Sequence, residues 1–439
     1  IPRIEDITFD RWVALYAVAA ALLMAFVVTL PGLARAFQRT APSASRYSRT
    51  GAALLISEVA LSFVVFVSAL LLTRNFAALL NVYKGFDTTN VLAVATTLPP
   101  DPGGWEAAAE LFQNRLAPAI RSLPGVETVA TANMAPMSLE STQRMRYATR
   151  FGLAGVAYRE GAYPVAQLRW VSADYFATLR IPYRAGRPLT AADRNQPVCA
   201  INETLARQYF GGHDPVGRQI LTGMGTPKPT ASTVVAVIGA VRDLDAASPP
   251  PPAIYSINAS PGDTLLIRTT RDPMALAQAV EKAVHQVVPD APVTRVRTVD
   301  RLVSDSLARP RFALEAMSVF AGIAALLAVI GINGVVSYSV GRRVVEFAVR
   351  SAVGASPRRL MLEVAIEASR IAVLGILAGA ALFSAVSRLF RTLVIGASPL
   401  DPAALAGAAV VLALLTAAAL AAPARRASRI APALALRDA

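Results

Sequence analysis

Five stretches of this chain are too long and too apolar to belong to a water-soluble domain. A helix rises about 1.5 Å per residue and the hydrocarbon core of a bilayer is roughly 30 Å thick, so about 20 apolar residues cross it. Trp12 to Leu30 carries no charge and stops at Pro31-Gly32; Ala52 to Thr73 carries one acid, Glu58; Ala316 to Val340 is uncharged. Leu360 to Val386 is apolar from Ile371 but holds Glu363, Glu367 and Arg370 in its first turns, and Pro402 to Ala422 is uncharged and dominated by alanine. Charged residues make up only 16% of the chain, against about 25% in soluble domains, so much of it has lipid as its solvent.

Short cytoplasmic loops retain arginine and lysine, which orients the spans. Arg35, Arg39, Arg46 and Arg49 separate the first two spans without an acid; Arg342, Arg343, Arg350, Arg358 and Arg359 separate the third and fourth against Glu346 alone; Arg425, Arg426, Arg429 and Arg437 follow the fifth against Asp438. Alternating helices put these three segments on the cytoplasmic side, with Ile1 to Arg11 and the stretch from Arg74 to Arg311 outside. The net charge of +14 therefore gathers at the ends of apolar runs, and not on a soluble surface with interleaved aromatics, so nucleic acid is not expected as a partner. An outside head needs an earlier span to carry it across, and neither Met nor a cleavable signal stands at Ile1. The first span is expected to close a preceding unit, with self-insertion by its own charge bias as the alternative.

Cys199 is the only cysteine, which excludes an internal disulfide and a cysteine zinc cage, and His213 and His285 are far apart in sequence. Gly212-His213-Asp214-Pro215-Val216-Gly217-Arg218-Gln219 has the glycine spacing of a phosphate loop but lacks its Lys and hydroxyl residue, and reads as a turn. No G-x-S-x-G nucleophile motif occurs. No metal, cofactor or catalytic residue is expected.

The external stretch has ordinary soluble composition. Val91 to Thr97, Val126 to Ala132, Val198 to Ile201, Thr233 to Val241 and Thr264 to Thr269 read as strands. Glu106 to Leu123 and Met274 to Val288 have helical spacing and end near prolines, while Pro249 to Pro252 reads as a stiff connector. The expected fold class is an α-helical membrane protein of five transmembrane helices with a large α+β extracytoplasmic domain.

A set of short motifs runs through the chain in order: Gly85-Phe86-Asp87 with Asn90-Val91-Leu92, Val171-Ser172-Ala173-Asp174-Tyr175-Phe176, Gly186-Arg187-Pro188-Leu189-Thr190, Ile201-Asn202-Glu203 and Asp214-Pro215-Val216-Gly217. It continues through Tyr338-Ser339-Val340, Arg342-Arg343, Glu346, Arg350 and Gly354-Ala355 to Pro423-Ala424-Arg425-Arg426-Ala427. With a span, a large outer domain and three further spans, the chain resembles the FtsX-like ABC transporter permeases of the macrolide-efflux (MacB) type, and most closely the second half of their duplicated members. The resemblance implies residues 1–51 as the closing helix of a preceding unit with a cytoplasmic linker, 52–73 as a span, 74–311 as a MacB-like periplasmic domain, and 312–439 as three spans with a coupling loop at 341–359 and a basic tail. It also implies an inner-membrane location and, as partners, a cytoplasmic ABC ATPase, a first permease half or second permease, the lipid bilayer and a periplasmic adaptor. ATP hydrolysis is then expected in the ATPase and not in this chain.

The resemblance marks Arg342, Arg343, Glu346, Arg350 and Gly354 as the ATPase-coupling loop. Its residues suit a helix, since Glu346 stands four residues from both Arg342 and Arg350 and Gly354 supplies a stop; anchoring to anionic lipid heads is the competing reading. Gly375 and Gly379 form G-x-x-x-G, which admits a close helix neighbour. Glu58, an acid within a span, is read as structural against a transport role. Glu363, Glu367 and Arg370 read as an internally paired helix start against a proton relay, and Asn333 in the third span and Thr29 in the first are nearly alone as polar groups that a solvated pore would want. Thr298 to Arg309 reads as a helix kinked by Pro310 at the membrane edge, either a stalk that relays motion or a short surface helix. The expected function is a permease subunit that transmits ATP-driven motion to its outer domain. A membrane-anchored sensor or scaffold is the alternative, and a membrane enzyme the third.

Overall fold

The structure is a computed structural model that describes residues 49–96, 104–138, 147–159, 161–246, 248–257, 264–342, 350, 353, 356–390 and 401–427. They fall into two units, one of residues up to Leu80 with those from Arg309 on, the other Asn81–Ala308. Four helices among the described residues are long and apolar enough to cross a membrane; the first expected span, Trp12 to Leu30, lies outside them.

After the first of these, α1 (Arg49–Asn81), the outer unit begins with β1 (Val91–Thr96), α2 (Gly104–Leu111), a π turn (Phe112–Leu116), α3 (Ala117–Arg121) and β2 (Val126–Ala132). The widened turn has a local cause: Pro118 offers no N–H to the carbonyl one turn earlier. There follow β3 (Ala148–Leu153), β4 (Val165–Trp170), α4 (Tyr175–Thr178), β5 (Tyr183–Gly186), β6 (Val198–Asn202), α5 (Glu203–Tyr209), β7 (Gln219–Thr222), β8 (Thr230–Ile238) and β9 (Ala253–Ser256). The unit ends with β10 (Thr264–Thr269), α6 (Ala277–Val287), β11 (Val293–Thr298) and α7 (Val299–Ser306).

Two sheets result. The order β11-β1-β10-β2, with neighbours antiparallel and helices joining β1 to β2 and β10 to β11, is a split βαβ motif into which β3 to β9 are inserted. Alternation turns Leu92, Val94, Leu265 and Ile267 to one face, where Phe112, Leu116, Ile120, Val280 and Val284 cover them. The insertion forms the order β5-β8-β6-β9-β4-β3-β7. β8 pairs with β7 through Thr230 to Thr233 and with β5 through Ala236 to Ile238. The β7–β8 pairing closes six of the strands into a ring, which protects their edges. Phe151, Ala166, Cys199, Ile201, Ile220 and Val234 pack as one core there.

The motif residues of the outer unit hold this fold. Gly85 has φ +88° and a Cβ there would lie 2.0 Å from the Ala240 carbonyl oxygen, while Gly186 has φ +78° and would meet Val235 O at 2.1 Å; only glycine fits either place. Asp87 accepts from Thr89 N and from Arg180 Nη1, both at 2.9 Å. The buried Arg268 guanidinium donates to Thr178 O, Thr89 O and Asp87 O at 2.7, 2.9 and 3.1 Å, joining the first motif to α4. Asn202 caps α5 at Leu205 N and also receives Ala253 N. Asp214 accepts from Val216 N at 3.0 Å, in the turn where the sequence shows phosphate-loop spacing.

Asp193 gives this scaffold a measurable pH limit. Its carboxylate accepts from Arg187 Nη1 and Nη2 at 2.7 and 2.6 Å and from Thr190 N at 2.8 Å. The Arg187 bonds foremost, opposed by partial burial and aided by the Thr190 bonds, lower its pKa from 3.8 to about 2. A depressed carboxylate stabilises the fold above its unfolded pKa, and that contribution is lost as pH falls toward about 2. Arg187→Ala should return the Asp193 titration, followed by carboxyl NMR, toward 3.8; an unmoved midpoint would contradict the pairing.

Beside the ring, Arg169 of β4 meets Asp243 in an ion pair whose side chains are 0% and 1% exposed. Burial opposes the Arg169 charge, but the adjacent Asp243 carboxylate outweighs it and holds the guanidinium above its ordinary pKa. Tyr175 and Tyr255 share the pocket, and burial pushes both phenols up. Cys199 is also enclosed, with its thiol pushed up to about 12. A maleimide should therefore leave the native protein unlabelled at neutral pH and label it stoichiometrically in denaturant; rapid native labelling would contradict the packing.

The membrane unit continues with α8 (Ala308–Arg342), α9 (Pro357–Phe390) and α10 (Pro402–Ala427). The sequence places a kink at Pro310, but α7 ends on its Leu307 cap and Pro310 is the third residue of α8. A proline is tolerated in a first turn because those N–H groups have no helical partner. α1 lies at the centre of the bundle: Leu55, Val59, Phe63, Val67 and Leu71 recur every four residues and are all buried. Half of its span is covered, against 6% for α8.

Candidate functional site

The segment between Arg342 and Pro357 joins α8 to α9. Arg343, Glu346 and Gly354, and with them the expected Arg342–Glu346–Arg350 spacing, lie outside the described residues. Of the rest, Arg342 ends α8 and Arg350 Nη1 donates to Glu363 Oε2 at 2.9 Å. Glu363 sits in the second turn of α9, so this contact ties the loop to the start of a span. Sequence spacing pointed Arg350 at Glu346; a partner thirteen residues away carries no helical period and could not be read that way. Val353 is 84% exposed, more than any other large apolar side chain described.

Gly375 and Gly379 face α1. A Cβ at Gly375 would lie 2.6 Å from Val59 Cβ and Cγ1, and one at Gly379 would lie 2.8 Å from Ala60 O and Phe63 Cβ. The G-x-x-x-G spacing thus lets the α9 backbone rest directly on α1. A third glycine contact involves a side chain and lies outside any glycine repeat: a Cβ at Gly331 of α8 would meet Glu58 Oε2 at 2.2 Å. Glu58 stands nine residues from Arg49 and Gly331 eleven from Arg342, so the two are at similar depth. The carboxylate crosses to a neighbouring helix and occupies the space that the missing side chain leaves.

Asn333 also has a role that its own surroundings in sequence do not show. Its Nδ2 donates to Ala419 O of α10 at 3.1 Å. Pro423, four residues on, has no N–H, so this carbonyl lacks its helical donor. In lipid no water replaces it, and the asparagine satisfies it from the next helix. At the other end of the bundle Arg74 pairs with Asp401 at 2.6 Å, beside the start of α10. No group of three metal-ligating side chains occurs among the described residues.

These parts can transmit displacement: a loop held to α9, α9 packed backbone-close on α1, and α8 bonded to α10. In comparisons with known proteins, the MacB-like periplasmic core domain matches residues 52–287 and the FtsX-like permease C-terminal domain matches residues 318–432. Among solved structures the chain is similar to the periplasmic region of MacB from Actinobacillus actinomycetemcomitans, at 14% identity over 51% of this chain and 95% of that one, with a TM-score of 0.33. It is also similar to the extracellular domain of the noncanonic ABC-type transporter YknZ from Gram-positive bacteria, at 13% identity over 48% and 93%, with a TM-score of 0.27. No curated protein matches.

Proposed function

Because the chain belongs to the family of FtsX-like permeases with a MacB-like periplasmic core domain, we propose that it is a permease subunit moved by a cytoplasmic ABC ATPase. The observation that carries this reading is the Arg350–Glu363 bond, which fastens the loop between α8 and α9 to the bundle. ATP binding by the partner displaces the loop, and α9 passes the displacement to α1 through Gly375 and Gly379. α8 is a single helix of 35 residues whose first residue follows the Leu307 cap of α7, so its movement pulls on the outer unit through one peptide link. The work delivered is export or envelope remodelling.

The docking residues in this reading are Arg342, Arg343, Glu346, Arg350 and Gly354, and the exposure of Val353 suits a loop that enters a partner groove. The bare flank of α8, with Val319, Phe320, Ile323, Leu326, Leu327 and Ile330 exposed, suits a second permease unit, from the same polypeptide or another chain, as neighbour.

The test is Glu346→Lys combined with Gly354→Leu in the full-length protein. Losing helical i,i+4 pairs costs only about 0.2 to 0.5 kcal/mol each, too little to unfold the bundle. A docking hot spot contributes about 2 kcal/mol or more, roughly thirtyfold in affinity. Expected are normal membrane insertion with loss of ATPase co-purification and of stimulated ATP turnover. Wild-type levels of both would leave the loop a lipid anchor and return the sensor or scaffold reading.

A further inference from the structure

α9 and α10 enclose a groove of about 460 Å³. Ala365, Ser369, Ala372 and Ile376 form one wall, and Ala417 and Ala421 belong to the other. Its α9 wall advances by four, three and four residues, a single helical stripe, and extends about 16 Å, close to one leaflet of a roughly 30 Å core. With the arginine-rich segments between α8 and α9 and after α10 on the cytoplasmic side, Ala365 near the start of α9 and Ala421 near the end of α10 mark the cytoplasmic end.

Both stripes continue into arginine at that end. Arg358 precedes Ala365 by seven residues, two turns of α9, and Arg425 follows Ala421 by four, one turn of α10. Arg359 beside them is exposed, and the nearest acid of α9, Glu363, is already paired with Arg350. By helical position, an apolar slot one leaflet deep thus leads toward arginine positions at its cytoplasmic end.

We propose that this groove seats one acyl chain of an anionic phospholipid of the inner leaflet, with the headgroup phosphate at the level of Arg358 and Arg425. The dimensions favour a lipid tail over another span: a helix about 10 Å across would displace roughly 1,200 Å³ over this length, well above 460 Å³. The volume lies within the roughly 300–1,000 Å³ of small-ligand sites. Basic residues at the cytoplasmic ends of spans select anionic headgroups. The inference rests on the spans crossing a bilayer and not on the ATPase reading.

The experiment is native mass spectrometry of the full chain in detergent, titrated with phosphatidylglycerol or phosphatidylcholine. Phosphatidylglycerol should be retained in preference, and Arg358→Ala and Arg425→Ala should each weaken its retention about fivefold, the effect of one basic residue near an anionic surface. Ala417→Phe fills the groove from its exposed side and should abolish retention while leaving both arginines; an unchanged thermal melt of the full chain in detergent verifies each variant's fold. Equal retention of the two lipids would overturn the proposal. So would unchanged retention in Ala417→Phe, which would mean headgroup adhesion alone. Efficient disulfide formation in membranes between Ser369→Cys and Ala20→Cys would overturn it too, by placing the Trp12–Leu30 stretch in the groove.

Discussion

Asp243→Ala should destabilise the outer unit by about 3 to 5 kcal/mol, the cost of leaving a buried charge without its partner. Arg169 is fully enclosed and its guanidinium also gives a hydrogen bond to Asp243. Removing the carboxylate leaves a cation beside Tyr175 and Tyr255, whose burial prevents water from reaching it. Thiol titration of Cys199 against urea reads this in the full chain in detergent, because the cysteine sits in the core of the same ring. With a urea dependence of about 1–3 kcal/mol per M, the exposure midpoint should fall by more than about 1 M. The double variant Arg169→Met, Asp243→Leu should recover most of the loss, since apolar replacement of a whole buried pair is often neutral or better. A midpoint within error of wild type for Asp243→Ala would show that the pair is solvated and carries little.

Local pattern made part of this fold legible. Val126 to Ala132 and Thr264 to Thr269 are strands over the ranges their β-branched runs indicate, and α1, α8, α9 and α10 contain the apolar runs expected to span. These signals are periodic or compositional, and each element carries its own. The strands β3, β4, β5, β7, β9 and β11 escaped because their residues alternate weakly or include Arg and Gly: Arg169 reads as a surface residue in VAQLRW, and only Asp243, 74 residues on, makes it a core one. The glycine-spaced segment Gly212 to Gly217 forms a turn in which Asp214 accepts from Val216 N. For the membrane unit, sequence located Glu58, Asn333 and Gly375 to Gly379 but not what they touch. Gly331, Ala419 and Val59 lie on other helices, and the pairing of helices is set by packing that no single stretch encodes. Proline supplied one usable clue, since Pro423 announces a free carbonyl at Ala419 and so the need for a donor such as Asn333.

Gly375→Leu and Gly379→Leu should force α9 off α1, and of the substitutions in the membrane unit these carry the largest expected effect. The obstacle at Gly379 includes the Ala60 carbonyl at 2.8 Å and at Gly375 the Ile56 carbonyl at 3.2 Å, and backbone cannot swing aside as a side chain can. Overpacking costs about 1–3 kcal/mol per site. Apolar burial does not offset it here, because lipid solvates Val59 and Phe63 as well as α9 does, so association rests on the close fit that the substitution removes. Gly322→Leu on α8 is the matched control, since a Cβ there meets nothing within 4 Å. Thermal unfolding of the full chain in detergent should place the Gly375 and Gly379 variants well below wild type, with Gly322→Leu beside it; equal melting of all three would mean the α1–α9 contact is absent in the folded protein. Because α9 begins at the Arg350–Glu363 tie, the same contact is the route by which loop displacement reaches α1. Any Gly379→Leu protein that survives purification should therefore still bind its ATPase while losing stimulated turnover, separating failure of transmission from the failure of docking expected for Glu346→Lys with Gly354→Leu.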